Sequence, residues 1–377
     1  MKKCIVIPDS FKGTMSSSQV CSIMSDSIKT YYPDAKVLTI PIADGGEGTV
    51  DSFLEALGGM RILCEVTGPY FEKMESFYAI VNGDTAIIEM ASCAGLPLVG
   101  DDLRTHKATT FGVGEMMLIA ASRGVKKIIV GLGGSATTDG GVGAACAIGV
   151  SFYNKDGEKF IPTGETLSLI TSIDASTKNS LLDGIEIITM CDIDNPLYGK
   201  NGAAFVFGPQ KGADDEMVVV LDAALHHLCD VVKHDLHVDI ANIPGSGAAG
   251  GMGGGMVAFF QSSLEMGIEV ILDTINFDTL LENTDIVFTG EGKIDEQSLN
   301  GKVVIGIARH TKKKGVPLVA VVGDIGDNIE KAYEEGVSAI FSINRVAKDF
   351  PLIKGRAKSD MALTMDNLVR FVQTLGF

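Results

Sequence analysis

The fold class is decided first by an apolar run that leads into a polar turn, Cys4-Ile5-Val6-Ile7-Pro8-Asp9-Ser10-Phe11-Lys12-Gly13. After this stretch, a helical pattern of apolar residues covers 16–32, a second apolar run covers 37–40, and another helical pattern covers 49–57. The same alternation returns near the other end, with runs at 285–288, 317–322 and 339–343 and helical patterns at 303–314, 329–335 and 360–375. Strands that alternate with helices predict an α/β fold with a doubly wound parallel sheet, built from both ends of the chain.

The middle of the chain has a different pattern. Short strand-like runs at 62–66, 76–81 and 85–90 are separated by Gly68-Pro69 and by Asn82-Gly83-Asp84, which are typical of antiparallel hairpins. A strand at 126–130, a strand at 185–191 and a helix at 216–234 follow. We therefore expect a discontinuous domain, 1–60 with 285–377, and an inserted mixed α/β domain, 61–284, with a cleft between them.

Composition narrows the class of partner. Lys and Arg number 31 against 48 Asp and Glu, a net charge of -17, which disfavours binding to nucleic acid or to an anionic membrane. Small-molecule substrates are the expected partners, and a homodimer is left open. The seven cysteines are scattered without a CxxC pair, and no apolar run reaches the roughly 20 residues of a membrane span, so we expect a cytoplasmic protein with reduced thiols.

Glycine is unusually frequent, with 45 of 377 residues against an average of about 7%. Five loops combine it with acidic, basic or hydroxyl residues and are predicted to follow strands: 8–13, 43–49, 131–141, 245–255 and 290–295. Glycine closes ordinary turns as well, but loops at the carboxyl ends of parallel strands are where α/β proteins bind ligands. The set therefore predicts a phosphate or nucleotide site, with these candidate binding residues: Gly133, Gly134, Ser135, Thr137, Ser246, Gly247 and Gly250.

The run 245–250 also matches GxGxxG, the dinucleotide-binding fingerprint, which makes a nicotinamide-dependent oxidoreductase the alternative function. Asp239, Asn242 and Pro244 interrupt the strand that this fingerprint requires, and the chain contains no GxxxxGK[ST] motif. A non-catalytic nucleotide-binding regulator is the third hypothesis. Phosphoryl transfer is favoured over both.

Several carboxylates stand in loops where a bare phosphate would be repelled. A divalent cation such as Mg²⁺ resolves this conflict because it bridges phosphate and carboxylate oxygens. The candidate catalytic residues are Lys12, Asp44, Asp192 and Asp295; Asp192 and Asp295 are also the candidate metal ligands, and Ser10, Lys293 and Glu291 the candidate substrate-binding residues. Asp192 is favoured as the base. Helix capping is the competing role for Asp44 and Asp139, which precede predicted helices.

These loops resemble the bacterial glycerate kinase family. The resemblance extends over the whole chain and rests on these motifs: Pro8-Asp-Ser-Phe-Lys-Gly13, Pro41-Ile-Ala-Asp-Gly-Gly-Glu-Gly-Thr49, Gly131-Leu-Gly-Gly-Ser-Ala-Thr-Thr-Asp-Gly-Gly141, Gly208-Pro-Gln-Lys-Gly-Ala213 and Thr289-Gly-Glu-Gly-Lys-Ile-Asp295. It implies ATP-dependent phosphorylation of D-glycerate, with 2-phosphoglycerate as the favoured product. It further implies a flavodoxin-like domain, an inserted second domain and an active site between them. Arg104-Thr105-His106 departs from the family's usual Arg-Asn-Pro.

Overall fold

The structure is a computed structural model that describes residues 1–43, 45–296, 298 and 302–376. Its strands, in chain order, are β1 (Lys3–Val6), β2 (Lys36–Thr39), β3 (Met60–Thr67), β4 (Lys73–Val81), β5 (Thr85–Glu89), β6 (Lys127–Gly131), β7 (Ser151–Tyr153), β8 (Lys159–Phe160), β9 (Ser172–Asp174), β10 (Glu186–Met190), β11 (Ser263–Glu265), β12 (Ile286–Thr289), β13 (Lys293–Ile294), β14 (Leu318–Val322), β15 (Asp324–Ile325) and β16 (Val337–Ser342).

The α-helices, in the same order, are α1 (Ser17–Tyr31), α2 (Thr49–Leu57), α3 (Ala91–Ala94), α4 (Leu96–Val99), α5 (Phe111–Ala121), α6 (Val142–Ala147), α7 (Ala203–Phe207), α8 (Asp215–Leu236), α9 (Ala248–Phe260), α10 (Gly267–Thr274), α11 (Phe277–Leu280), α12 (Val303–Lys314), α13 (Glu330–Glu335), α14 (Phe350–Ile353) and α15 (Ala357–Thr374). Short 3-10 helices cover Gly164–Leu169, Ser180–Leu182, Pro209–Lys211 and Lys354–Arg356.

The chain divides into two compact units. Unit 1 comprises 1–44 and 268–377, and unit 2 comprises 45–267. Both limits lie earlier in the chain than the limits expected from the sequence, 60/61 and 284/285. At the first limit, α2 packs on β4 and β5 of unit 2; at the second, α11 packs on α12 of unit 1, where His310 Nδ1 lies 2.7 Å from Asp278 Oδ1. Tertiary packing therefore places α2 in unit 2 and α11 in unit 1. The order of strands and helices along the sequence did not indicate this.

Unit 1 contains a five-stranded sheet in the order β16-β14-β12-β1-β2, and every neighbouring pair is parallel. Numbered within the unit, this is the order 2-1-3-4-5 of flavodoxin-like folds. The predicted doubly wound parallel sheet built from both chain ends is confirmed. Its core includes Met24, Phe288, Val321, Met361 and Val369, all buried.

Unit 2 contains a six-stranded mixed sheet in the order β11-β10-β6-β5-β4-β3. The β3–β4 and β4–β5 pairs are antiparallel, as their turn residues predict, while β5–β6, β6–β10 and β10–β11 are parallel. A small antiparallel sheet, β8-β7-β9, was not predicted, because its strands have only two or three residues each.

Local sequence explains where the longer helices begin. Ser16 accepts a hydrogen bond from Gln19 N at the start of α1, and the Gln19 side chain accepts one from Ser16 N, which together form a capping box. Asp214 caps α8 by accepting from Met217 N at 2.8 Å. Among the helices of the described residues, none combines the length and the apolar character that crossing a membrane would require.

Candidate active site

In unit 1, two of the predicted ligand loops lie side by side at the carboxyl edge of the parallel sheet. Asp9 N, just after β1, donates to Gly290 O, just after β12, at 2.8 Å. A side chain at Gly292 would come within 3.6 Å of Lys12 N, so the two backbones approach closely. The fold therefore brings the loop of Ser10 and Lys12 next to the loop of Glu291 and Lys293.

Glu291 is the buried acid of this pair of loops. Its side chain is only 7% exposed, and its Oε1 atom has no hydrogen-bond partner among the described residues. Burial, followed by the negative charge of Asp9, raises the pKa of Glu291 to about 8, against the opposing effect of Lys302. Glu291 is thus a carboxyl group held close to neutral at physiological pH.

The other unit 1 candidates are more open to solvent. Lys12 is exposed, and Lys293 Nζ lies 3.1 Å from Asp295 Oδ2 in an ion pair. Asp295 Oδ1 also accepts from Ser298 N at 3.3 Å. Asp44, a predicted catalytic residue, lies outside the described residues.

Asp192 follows β10 in unit 2 and is half-buried. Its Oδ1 accepts from the backbone N–H of Gly267, the first residue of α10, at 2.7 Å. The positive end of the helix dipole, at the helix N-terminus, stabilises a carboxylate in this position. The structure therefore gives Asp192 a capping contact, and its predicted role as base stays a prediction.

Asp139 is the one carboxylate in the sequence of the glycine loop 131–141, and both of its oxygens accept hydrogen bonds. One of its oxygens accepts from Thr110 N at 2.8 Å, from Thr110 Oγ1 at 2.9 Å and from Gly143 N at 3.4 Å, while the other accepts from Gly141 N at 3.1 Å. Its side chain is entirely buried, and burial raises its pKa. The capping role considered for Asp139 is the one found, since it ties the loop to the starts of α5 and α6.

Lys211 supports the same loop from inside the unit. Its Nζ donates to Ser135 Oγ at 2.7 Å and to Thr137 O at 2.8 Å, and the residue is 2% exposed. Burial lowers the pKa of Lys211 to about 7, although the nearby charge of Asp139 opposes this. Two hydroxyls of the predicted phosphate-binding set, Thr137 Oγ1 and Ser246 Oγ, are buried without a hydrogen-bond partner among the described residues. Such unpaired buried groups are rare and need an explanation.

The glycines of the two loops permit close backbone packing within unit 2. A side chain at Gly250 would overlap the carbonyl oxygen of Thr137, and one at Gly131 would overlap that of Gly45. Gly247 N is already used, because it donates to Asn195 O at 3.0 Å. Contact between loops thus accounts for part of the glycine excess.

The loop 245–255 does not follow a strand, contrary to the expectation for this loop. The helix or strand that precedes Gly245 is α8, which ends at Leu236, and α9 begins at Ala248. The strand-loop-helix context of a dinucleotide fingerprint is therefore missing. The alternative function, a nicotinamide-dependent oxidoreductase, is not supported.

The described residues contain no group of three or more His, Cys, Asp or Glu side chains arranged to hold a metal ion. Mg²⁺ in phosphoryl-transfer enzymes is commonly bound by one or two carboxylates together with substrate phosphates. Asp192 or Asp295 could supply such a carboxylate, so the residues present fit a metal ion that arrives with a nucleotide.

Sequence reasoning missed Lys211 as a site residue. It stands in the motif Gly208-Pro-Gln-Lys-Gly-Ala213, which contributed only to the family resemblance. A single lysine beside glycine and proline does not indicate burial, and only the fold places its Nζ against Ser135 and Thr137.

Comparisons with known proteins identify the family of this chain. The family model described as "Glycerate kinase family" matches residues 4–373. Glycerate kinase from Bacillus cereus is 43% identical over 368 residues, which are 97% of either chain, and glycerate 2-kinase from Escherichia coli is 40% identical over 343 residues, 90% of either chain. The solved structure of a putative glycerate kinase 2 from Salmonella typhimurium LT2 superimposes with a TM-score of 0.87 at 37% identity, covering 99% of this chain and 98% of that one. The chain therefore belongs to the glycerate kinase family, whose members are enzymes that phosphorylate glycerate.

Proposed function

We propose that this protein transfers the γ-phosphoryl group of ATP, with Mg²⁺, to the 2-hydroxyl of D-glycerate. The observation that carries the choice of hydroxyl is the 40% identity, over 90% of both chains, to a relative named glycerate 2-kinase. None of the seven cysteines, all of which lie in the described residues, forms a disulfide, which fits a reducing compartment such as the cytoplasm.

The glycine loop of unit 2 is the proposed phosphate site. Gly133 and Gly134 reach solvent, so a phosphate can approach their backbone, although the missing side chain of Gly133 faces the backbone of Gly46 and that of Gly134 faces Ala91. Ser135 and Thr137 are held from behind by Lys211, so that the shape of the loop is set before a ligand arrives. Thr137 Oγ1 and Ser246 Oγ, for which the described part of the chain offers no hydrogen-bond partner, are donors that an anion can use. Gly247 and Gly250 complete the proposed set.

The unit 1 loops provide the proposed groups for substrate and charge. Lys12 and Lys293 are the cations for the glycerate carboxylate or the transferring phosphoryl group, and Ser10 is a donor beside them. Glu291, nearly neutral by burial, can donate a hydrogen bond to the substrate. Asp192 is the proposed base for the attacking hydroxyl, and Asp44 and Asp295 keep their proposed catalytic roles.

Mg²⁺, when bound, neutralises the charge that develops on the phosphoryl oxygens. Asp295 is a proposed protein ligand of the metal ion, and Asp192 is the other candidate ligand if it does not act as the base. The chain's own groups have the remaining tasks: they orient the hydroxyl, accept its proton and exclude water.

The test is ADP release by the purified full chain. We expect ADP formation that requires D-glycerate, ATP and Mg²⁺ together, with little activity on L-glycerate. ADP formation that does not depend on glycerate would refute the proposal, as would activity with a nicotinamide cofactor in place of ATP.

A further inference from the structure

Unit 1 contains a cavity of about 530 Å³, and Lys12 is the one residue of its lining that has a role in the proposed function. It opens at the carboxyl ends of β1, β12, β14 and β16, and its walls include Lys12 and Gly292 from the two loops described above. In a 2-1-3-4-5 sheet the strand order reverses between the first and third strands, here β1 and β12, and ligands bind at this point. The cavity therefore lies beside the place where the fold class binds nucleotide-like ligands.

One part of the cavity wall is apolar, and some of its side chains are exposed. Phe350 is 55% exposed and Ile325 is 39% exposed, whereas Ile343 and Ile353 close the inner wall and are buried. Exposed apolar side chains that line a concave site are typical of a binding pocket. A flat heteroaromatic ring would cover them, whereas glycerate has three carbons and no apolar part.

The rim of the cavity is cationic in a chain whose net charge is -17. Lys12, Arg345, Lys348 and Lys354 line it and are exposed, against the two acids Asp324 and Asp360. Asp360 is already paired, with Arg356 at 3.1 Å and Arg345 at 3.8 Å. A local excess of positive charge against an overall negative field favours an anionic ligand.

We infer that this cavity binds the adenosine part of ATP, with the base against Phe350 and the phosphates toward Lys12. The inference rests on the proposed function, because it gives the nucleotide of that reaction a place in unit 1. The volume of the cavity suits a nucleotide, part of its wall is aromatic or aliphatic, and cations line its rim.

The chain contains no tryptophan, so a single introduced tryptophan can report on the cavity. Phe350→Trp keeps an aromatic ring at the rim, and Phe371→Trp puts the same reporter on an exposed part of α15 that does not line the cavity. We expect ATP with Mg²⁺ to quench the Phe350→Trp emission in a saturable manner and to leave Phe371→Trp unchanged. A reporter at 350 that responds to D-glycerate but not to ATP would overturn the inference.

A charge reversal provides the second measurement. Lys348→Glu should raise the KM for ATP by about tenfold, the scale of one lost ionic contact, and leave the KM for glycerate within about twofold. Lys313→Glu, an exposed lysine at the end of α12, is the matched control and should change neither value.

Different results would refute the proposed function and the inference about the cavity. If the unmodified chain releases no ADP from ATP and glycerate, the proposed function is wrong and the inference falls with it. If ADP is released while the 350 reporter stays silent and Lys348→Glu matches Lys313→Glu, ATP binds elsewhere, and only the inference is overturned.

Discussion

The glycine loop 131–141 of unit 2 and the loops 8–13 and 290–295 of unit 1 differ in how exposed their lysine and carboxylate partners are. Lys211 and Asp139 are buried and fully engaged with backbone and hydroxyl groups, whereas Lys12 is exposed and Lys293 pairs with Asp295 near the surface. Burying a charge costs free energy, and here the buried charges fix the shape of a loop, whereas the charges near the surface can be reached by a ligand. Polar residues in a ligand loop therefore divide into those that build the loop and those that can act on substrate.

Loss of Asp139 should have the largest effect, and that effect should be on stability. Asp139→Ala leaves three backbone N–H groups and the Thr110 hydroxyl without their acceptor in a buried place. We expect the free energy of unfolding to fall by about 4 kcal/mol, measured by urea denaturation. Asp183→Ala, at an exposed position of the same unit, is the control; equal losses in the two variants would contradict the role of Asp139.

The burial of Asp192 is intermediate between that of the residues in the two regions. Its side chain is half-buried and accepts a hydrogen bond from Gly267 N at the start of α10. If it is the base, Asp192→Asn should lower kcat by about 10³-fold while the Mg²⁺ concentration for half-maximal activity stays the same. A raised Mg²⁺ requirement would reassign Asp192 as a metal ligand. A kcat close to that of the unmodified enzyme would exclude both roles.

Lys12→Ala should act on turnover with little effect on stability. Removing a cation that faces transferring charge typically costs about 10²-fold, and this is the expected loss in kcat/KM. The loss of kcat/KM in Lys293→Ala, measured in the same way, shows which of the two cations contributes more to turnover. The assignment of Lys12 fails if the Lys12→Ala enzyme keeps nearly full kcat/KM.

The smallest effect, taken per pH unit, is a pH dependence of stability that comes from Lys211. Its pKa is about 7 in the folded protein and near 10.5 when unfolded, so between these values the unfolded chain binds more protons. This group therefore makes stability rise with pH across that window, by at most about 1.4 kcal/mol per pH unit. Lys211→Met should lack this rise, while the exposed control Lys200→Met should keep it.

If the stability difference between the unmodified chain and Lys211→Met does not change from pH 7 to 10, the pKa of Lys211 is ordinary. Lys211 would then not differ from the exposed lysines in its ionisation, and that part of the comparison would fail.

The sequence predicted the strands and helices at both chain ends because alternation of apolar runs and helical patterns is a local signal. The strand at 285–288 and the helix at 303–314 agree with β12 and α12 in this way. The assignment of α2 to unit 2 could not be predicted, since it depends on packing against β4 and β5.

The site was predictable only in part. Glycine and acidic residues indicated the loops 8–13, 131–141 and 290–295, and the structure places each of these loops directly after a strand. The difference between Asp139 as a support and Lys12 as an exposed cation depends on burial, which a loop sequence does not reveal. The cavity walls at Phe350 and Ile353 lie on the short α14, far along the chain from Lys12, and only the fold joins them.

The central claim, phosphorylation of glycerate at the 2-hydroxyl by ATP, is tested most directly by ³¹P NMR of the reaction mixture. The 2-phosphate ester bears one hydrogen on the carbon next to oxygen and gives a doublet, whereas the 3-phosphate ester bears two and gives a triplet. We predict a doublet that grows together with ADP when the purified chain meets ATP, Mg²⁺ and D-glycerate. A triplet, or the absence of any new phosphate ester while ATP is consumed, would contradict it.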